Sequence, residues 1–300
     1  MRVLLVNQTY GGASGTGRHV ELLHRGLIEE GVGVAVLSGR NAWSLPVPML
    51  KSASFLFGLF FKKFQADVVH LHSPKLSPLL FKHPRTVITI HGGMDEFRQK
   101  YGAVGGLVSS TILSLMRRSR VTTTVLKTEA ERRGWIWIPN MTDVKAIDQI
   151  PPSNESCILF VGRNDPVKNY QLFRRIARRL RLKYKAFGVE EVVDWRTVIS
   201  YMKSAKCLFI TSKWEGMPSV LLEAWAAGCP VIASEIESFL PFRDALILSR
   251  PDPDEMVEAY YSLELVRDKI VRHGRQYSEM FDYPNVVKKY LRIYEYVLEN

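Results

Sequence analysis

The chain has 300 residues, 46% hydrophobic and 24% charged, which suits two globular domains with cores of their own and excludes a disordered polymer. Its 41 Lys and Arg outnumber 30 Asp and Glu, a net charge of +11 that excludes basic partners but not nucleotide diphosphates, anionic lipid surfaces or nucleic acid. Three scattered cysteines, Cys157, Cys207 and Cys229, argue for reduced thiols and against a disulfide scaffold or a zinc site. The longest apolar run, Ala53 to Phe61, is too short to span a bilayer, and Met1 to Val6 starts a strand with no signal peptide, so a cytoplasmic protein is expected.

Arg2 to Asn7 reads as a buried strand. Gly11 to Arg18 follows as a glycine-rich loop, then a helix from His19 to Glu30 with Val20, Leu23 and Leu27 on one face. Strand, glycine loop and helix form a phosphate-approach geometry, because glycine lets a ligand come close to the backbone; the alternative is a tight turn without ligand. Val32 to Ser38 is the second strand. Leu50 to Phe64, rich in Phe and Leu with lysines at its ends, is either a core helix or a patch resting on an anionic membrane.

Asp67 to Leu71 and Thr86 to Ile90 are further parallel strands, each ending in a polar cluster, His72-Ser73-Pro74 and His91-Gly92-Gly93-Met94-Asp95. Site residues gather at such carboxyl ends, so His91 is the first candidate of this half; the plainer reading is a polar residue satisfied at a strand end. Val104 to Arg117 is expected as a helix, Val121 to Val125 as a strand, and Lys145 to Glu155, with its Pro151-Pro152, as an interdomain linker.

The second half opens with the strand Cys157 to Val161 and the loop Gly162 to Asn169. Arg163 and Lys168 there are two cations suited to the charge of a leaving diphosphate, or two solvated surface residues. The helix Tyr170 to Leu182 carries five arginines within eight residues, mostly opposite its apolar face. A solvated face is the default, with an anionic membrane or nucleic-acid contact as the sharper reading. One further helix, Asp194 to Lys203, precedes the strand Cys207 to Thr211.

The stretch from Lys213 to Ser234 organises this half. Strand Cys207 to Thr211, loop Trp214 to Ser219, helix Val220 to Ala227 with Gly228 as a left-handed cap, and strand Pro230 to Ala233 make one βαβ unit. Its loop faces the ligand side of a parallel sheet, and the helix aims free N–H groups there. Glu215 and Glu223 bracket the loop with seven residues between them, and each carboxylate can accept two neighbouring hydroxyls of a sugar or ribose. Short of that, Glu223 complements a helix dipole and Glu215 is ordinary surface. Leu246 to Leu248 reads as a strand, and Asp254 to Leu263, Glu264 to Met280 and Val286 to Glu299 as helices.

Glu215-Gly216-Met217-Pro218-Ser219 through Glu223-Ala224, followed by Ala227-Gly228-Cys229-Pro230-Val231-Ile232-Ala233, resembles the E-x7-E signature of retaining GT-B glycosyltransferases of the family-4 group. Thr89 to Phe97 is similar to that family's T-x-H-G-x-D segment, and Gly162 to Lys168 to its G-R-x-x-x-x-K segment. Asn140 to Asp143 resembles its I-P-N-G-V-D crossover, with Met141 where glycine is usual. The resemblance implies an α/β GT-B fold, two Rossmann-like domains with parallel sheets facing across a cleft. It implies an acceptor-side domain over residues 1–150, a donor-side domain over 151–285 and a C-terminal helix, 286–300, returning to the first.

By the same resemblance Glu215 and His91 are catalytic-site groups holding donor-sugar hydroxyls, and Glu223 holds the ribose diol. Arg163 and Lys168, with the loop glycines Gly15 and Gly17, attend the donor diphosphate, and the backbone of Gly216, Met217, Pro218 and Ser219 approaches the sugar. No metal and no cofactor is expected. The second domain looks trimmed, since a full-length member has another βα unit before Cys207. The function implied is a retaining, metal-independent transfer of a hexose-type sugar from a nucleotide sugar to an unidentified acceptor (sugar, lipid-linked or protein), peripheral contact with an anionic membrane being allowed. A GT-B nucleotide-sugar epimerase and a non-catalytic basic module for nucleic acid or membrane are the alternatives; occupied acidic and cationic positions weigh against the module.

Overall fold

The computed structural model describes residues 1–12, 14–43, 51–94 and 96–300, with residue 51 and residues 96–101 described by backbone alone. Ala13 of the glycine loop, Leu50 of the apolar segment and Asp95 of the His91 segment lie outside the described residues. The chain divides into two compact units, Met1–Asn140 with Tyr283–Asn300, and Met141–Asp282.

The first unit holds a sheet of six parallel strands in the order β2-β1-β3-β4-β5-β6: β1 (Arg2–Val6), β2 (Gly33–Leu37), β3 (Val68–Leu71), β4 (Thr86–Ile90), β5 (Val121–Thr124) and β6 (Ile136–Trp137). Every residue of β3 and β4 is buried, as strands covered on both faces of a parallel sheet are. The connecting helices are α1 (Gly15–Glu29), α2 (Lys51–Phe60), α3 (Glu96–Met116) and α4 (Lys127–Arg133), with a 3-10 segment over Pro74–Lys82. Ser14 caps α1 by accepting the Gly17 N–H at 3.0 Å, so the helix starts four residues before His19. Two local features reflect backbone chemistry: α3 is kinked at Gly102, which has φ +59°, and the Pro74–Lys82 segment starts from a Ser73 cap and a proline.

The second unit contains α5 (Val144–Asp148), β7 (Ile158–Val161), α6 (Tyr170–Leu180), β8 (Tyr184–Phe187), α7 (Trp195–Ser204), β9 (Cys207–Ile210), α8 (Ser219–Ala226), β10 (Val231–Ser234), β11 (Ile247–Ser249) and α9 (Pro253–Met280). Its five parallel strands run in the order β11-β10-β9-β7-β8. Phe160, Phe173, Ile176 and Phe209 lie in one buried cluster that joins α6 to the sheet. The arginines of α6 stay on the outer face, Arg179 pairing with Asp254 at 3.0 Å.

Two expectations are corrected. Residues 145–155 are not simply a linker: Asp143 caps α5 by accepting the Ala146 N–H, and Asp148 at its end takes two hydrogen bonds from Arg275 at 2.7 and 2.9 Å. These bonds, with Thr142 N–H donating to the Phe281 carbonyl, draw residues 141–150 into the second unit. The expected pair of helices over 254–280 is a single helix, because no breaker stands at Leu263-Glu264; Asp252 caps it. The last helix, α10 (Tyr283–Glu299), packs in the first unit against α1.

Candidate active site

In the order β8-β7-β9-β10-β11, chain direction across the sheet reverses between β7 and β9, the topological switch point where doubly wound sheets take ligands at their carboxyl ends. The loop leaving β7 carries Arg163 and Lys168, and the loop leaving β9 carries Glu215. Backbone and side chain stitch these loops together. The Thr211 hydroxyl donates to the Lys168 carbonyl at 3.0 Å, and Lys213 N–H donates to the Val167 carbonyl at 2.8 Å. Asn169, in the left-handed region at φ 52°, turns the loop into α6.

Lys168 and Glu215 form an ion pair, Nζ to Oε1 2.5 Å, in which the Ser212 hydroxyl also donates to Oε1 at 2.6 Å. Both side chains are mostly shielded, which fixes their positions. Arg163 differs: its side chain is 75% exposed and only loosely paired with Asp165 at 3.9 Å. The guanidinium is thus available to an incoming anion. Met217 is buried and anchors the loop, Pro218 stands at the N-cap position of α8, and Ser219 begins that helix. Glu223, one turn further, accepts a hydrogen bond from the Trp195 indole N–H at 2.9 Å. Neither Trp195 nor Ser212 was singled out in the sequence, because nothing in their local spacing shows that they meet a carboxylate.

In the first unit His91 leaves the end of β4 and joins a buried histidine cluster. His72 Nδ1 lies 3.3 Å from His91 Nε2, and the His19 and His91 rings sit 4.6 Å apart, edge on. His70 is bonded through Nδ1 to the Tyr294 hydroxyl at 2.7 Å and through Nε2 to Thr89 at 2.6 Å. Burial is the largest influence on all four; it pushes His91 down to about 4 and holds His19, His70 and His72 well below the usual histidine range. At neutral pH they are uncharged imidazoles able to donate and accept. Among the described residues, His72 Nε2 and His91 Nδ1 have no hydrogen-bond partner within bonding geometry.

Among the described residues, the group that could hold a metal ion is His19, His72 and His91, with one nitrogen from each within 4.8 Å of the others. Gly15 and Gly17 lie in the first turn of α1. Gly17 has a reason internal to the fold, since a Cβ there would come within 2.5 Å of the Gly11 carbonyl oxygen. Met141, which stands where the resemblance leads one to expect glycine, is buried and is not among the residues of positive φ.

The fold defined by these two units is that of the GT-B glycosyltransferases, matched along the whole chain by sucrose-phosphate synthase from Thermosynechococcus elongatus at TM-score 0.80 and 14% identity, covering 100% of this chain and 99% of that one. HepE of Anabaena, in complex with UDP-glucose, matches at TM-score 0.73 and 13% identity, with 100% of each chain covered. At these identities the likeness shows the fold alone. Residues 144–264, within the second unit, match the family model of glycosyl transferases group 1. The chain is also 28% identical over 162 residues to an Escherichia coli protein named UDP-Gal:alpha-D-GlcNAc-diphosphoundecaprenol alpha-1,3-galactosyltransferase. That match covers 52% of this chain and spans 38% of the length of the relative.

Proposed function

We propose that the protein is a retaining glycosyltransferase that takes a hexose-type sugar from a nucleotide-diphosphate sugar. The observation that carries this reading is the convergence of Lys168, Glu215 and the α8 N-terminus at the switch point of the second unit, with Arg163 exposed on the same loop as Lys168. Arg163 and Lys168 neutralise the diphosphate, and the charge that grows on the leaving nucleotide is stabilised by these groups already in place. The N–H groups of α8 add a partial positive charge, so the diphosphate needs no metal ion. Glu215 orients hydroxyls of the donor sugar and Glu223 holds the ribose diol.

The acceptor we propose is lipid-linked. Trp43, Phe57, Phe60 and Phe61 are exposed on and around α2, Phe61 at 76%, while Phe55 and Leu59 on the other side of that helix are buried. Phe57 contacts both Trp43 and Phe61 ring to ring, and Lys62, Lys63 and Lys82 stand beside this aromatic surface, an arrangement that suits an anionic lipid headgroup layer. The name of the E. coli relative, a transferase to a diphosphoundecaprenol-linked sugar, supports the same class of acceptor. Among the described residues no helix is long and apolar enough to cross a membrane, so the contact would be peripheral.

Calorimetric titration of UDP, GDP, ADP and dTDP, with and without EDTA, on the wild type and Glu223→Ala tests the donor site. Binding of one nucleotide in EDTA, lost in the variant, supports it and identifies the base. If none binds while a duplex oligonucleotide does, the transferase reading gives way to a basic binding module.

A further inference from the structure

Glu223 is hydrogen-bonded by a residue that lies far from it in sequence. Trp195 opens α7, and its indole N–H reaches Glu223 Oε1 on α8 at 2.9 Å. The start of α7 is fixed in place: Asp194 accepts the Thr197 N–H at 3.0 Å and the Thr197 hydroxyl at 2.8 Å. Helix α7 packs against α8, so the two helices present their N-termini at the same carboxyl edge of the parallel sheet.

The chain leading into α7 is held equally close to the phosphate loop. β8 ends at Phe187, whose carbonyl accepts the Gly162 N–H at 3.0 Å. Gly188, at φ +85°, is followed by a turn in which its N–H donates to the Glu191 carbonyl at 2.7 Å. A Cβ on Gly188 would come within 2.5 Å of the Gly162 carbonyl oxygen, so the 188–194 segment starts directly against the first residue of the loop that carries Arg163 and Lys168. Between β8 and β9 the second unit has only this segment and α7. Trp195 is partly exposed at the end of this segment, bonded to the candidate ribose carboxylate.

We propose that Trp195 is the platform for the nucleobase of the donor, an inference that rests on the donor-site reading above. In a nucleoside diphosphate the base is joined to the ribose, so a ring bonded to the carboxylate that grips the ribose diol is within reach of the base. The indole then has two parts with separate tasks. Its N–H orients Glu223, and its π face carries the base, a contact that tolerates different bases because each has a π face. This division explains a tryptophan rather than a phenylalanine or a glutamine: one lacks the donor and the other the ring.

The test uses the full chain and two probes, the nucleoside diphosphate that the wild type binds most tightly and inorganic pyrophosphate, titrated calorimetrically against the wild type, Trp195→Ala, Trp195→Phe, Arg163→Ala and Glu223→Ala. Trp195→Ala is expected to weaken the nucleotide by about 5- to 150-fold, the range for loss of one base–aromatic stack, and to leave pyrophosphate unchanged. Trp195→Phe, which keeps a ring, is expected to recover most of that loss and also serves if the alanine variant does not fold. The platform is overturned if Trp195→Ala binds the nucleotide like the wild type, or if Trp195→Phe is as weak as the alanine variant, which would leave the indole only its hydrogen bond to Glu223. If Arg163→Ala and Glu223→Ala retain wild-type affinity, or the wild type binds no nucleotide, the donor site itself is wrong and the platform falls with it. If those two weaken binding and Trp195→Ala does not, the donor site stands and the platform alone is rejected.

Discussion

Lys168 on the loop after β7 and Glu215 on the loop after β9 neutralise each other, 47 residues apart in sequence and 2.5 Å apart in space. On the proposed donor-site reading, a diphosphate reaching Lys168 would have to compete with that carboxylate and would free Glu215 oxygens for sugar hydroxyls, so that binding of the leaving group and positioning of the sugar would be linked through one ion pair.

Lys168→Ala is accordingly expected to weaken nucleoside diphosphate binding by about 10- to 100-fold, as loss of one charge-assisted contact does. Glu215→Gln should leave that affinity equal or higher, since Lys168 loses its internal competitor, while sugar transfer falls by at least about 100-fold. Calorimetry and a donor-consumption assay separate the two effects; equal loss of nucleotide affinity in both variants would sink the competition.

The histidine cluster should make the fold sensitive to mild acid. Above about pH 6.5 the four side chains are neutral in both folded and unfolded states and contribute no pH dependence. As pH falls below that value the unfolded chain takes up protons that the buried rings refuse, His91 until about pH 4, and His19, His70 and His72 likewise because burial holds them well below the usual histidine range. Stability is therefore fully present above pH 6.5 and lost through this window, at up to about 1.4 kcal/mol per pH unit for each histidine. Thermal melts at pH 7.5, 6.5 and 5.5 should show a falling Tm, with a shallower slope in His72→Gln. A flat profile would count against burial of neutral rings.

Tyr294 ties the last helix to the centre of the first sheet through His70, and Tyr290 adds a contact from its hydroxyl to His19 Nε2 at 3.2 Å. Tyr294→Phe leaves a buried His70 nitrogen without its partner and should cost about 1–3 kcal/mol. Urea unfolding gives the number; a midpoint unchanged from wild type would show that His70 finds another partner.

Gly274 lies in α9 directly over Trp225, where a Cβ would stand 2.5 Å from the indole Cδ1. Gly274→Ala would ordinarily favour a helix by roughly 1 kcal/mol. Here overpacking against a buried ring opposes that gain by about 1–3 kcal/mol, so the net expectation is destabilisation. A higher Tm in the variant would mean that the α8–α9 contact has room to relax.

The exposed aromatic surface of α2 should bind vesicles containing anionic lipid and release them in high salt. Phe57→Ser with Phe61→Ser should reduce co-sedimentation several-fold without changing nucleotide affinity. Retained co-sedimentation in this double variant would remove α2 as the contact.

Much of this protein was legible from local pattern. Short β-branched runs such as Thr86 to Ile90 suit strands buried on both faces of a covered parallel sheet, and the spacing of Glu215, Gly228 and Pro230-Val231 marked a βαβ unit because strand, loop and left-handed cap are each set by near neighbours. Other features escaped local reading. Asp148 belongs to the second unit because Arg275 grips it from 127 residues away, and no periodicity near Pro151-Pro152 encodes that. The His70–Tyr294 bond, the Lys168–Glu215 pair and the Trp195–Glu223 bond likewise join groups that only the packed sheet and its helices bring together. Sequence determined which elements form, since backbone hydrogen bonding and side-chain periodicity are short-range. Tertiary structure decided which polar groups share a buried site, since desolvated polar atoms must find partners wherever the chain places them.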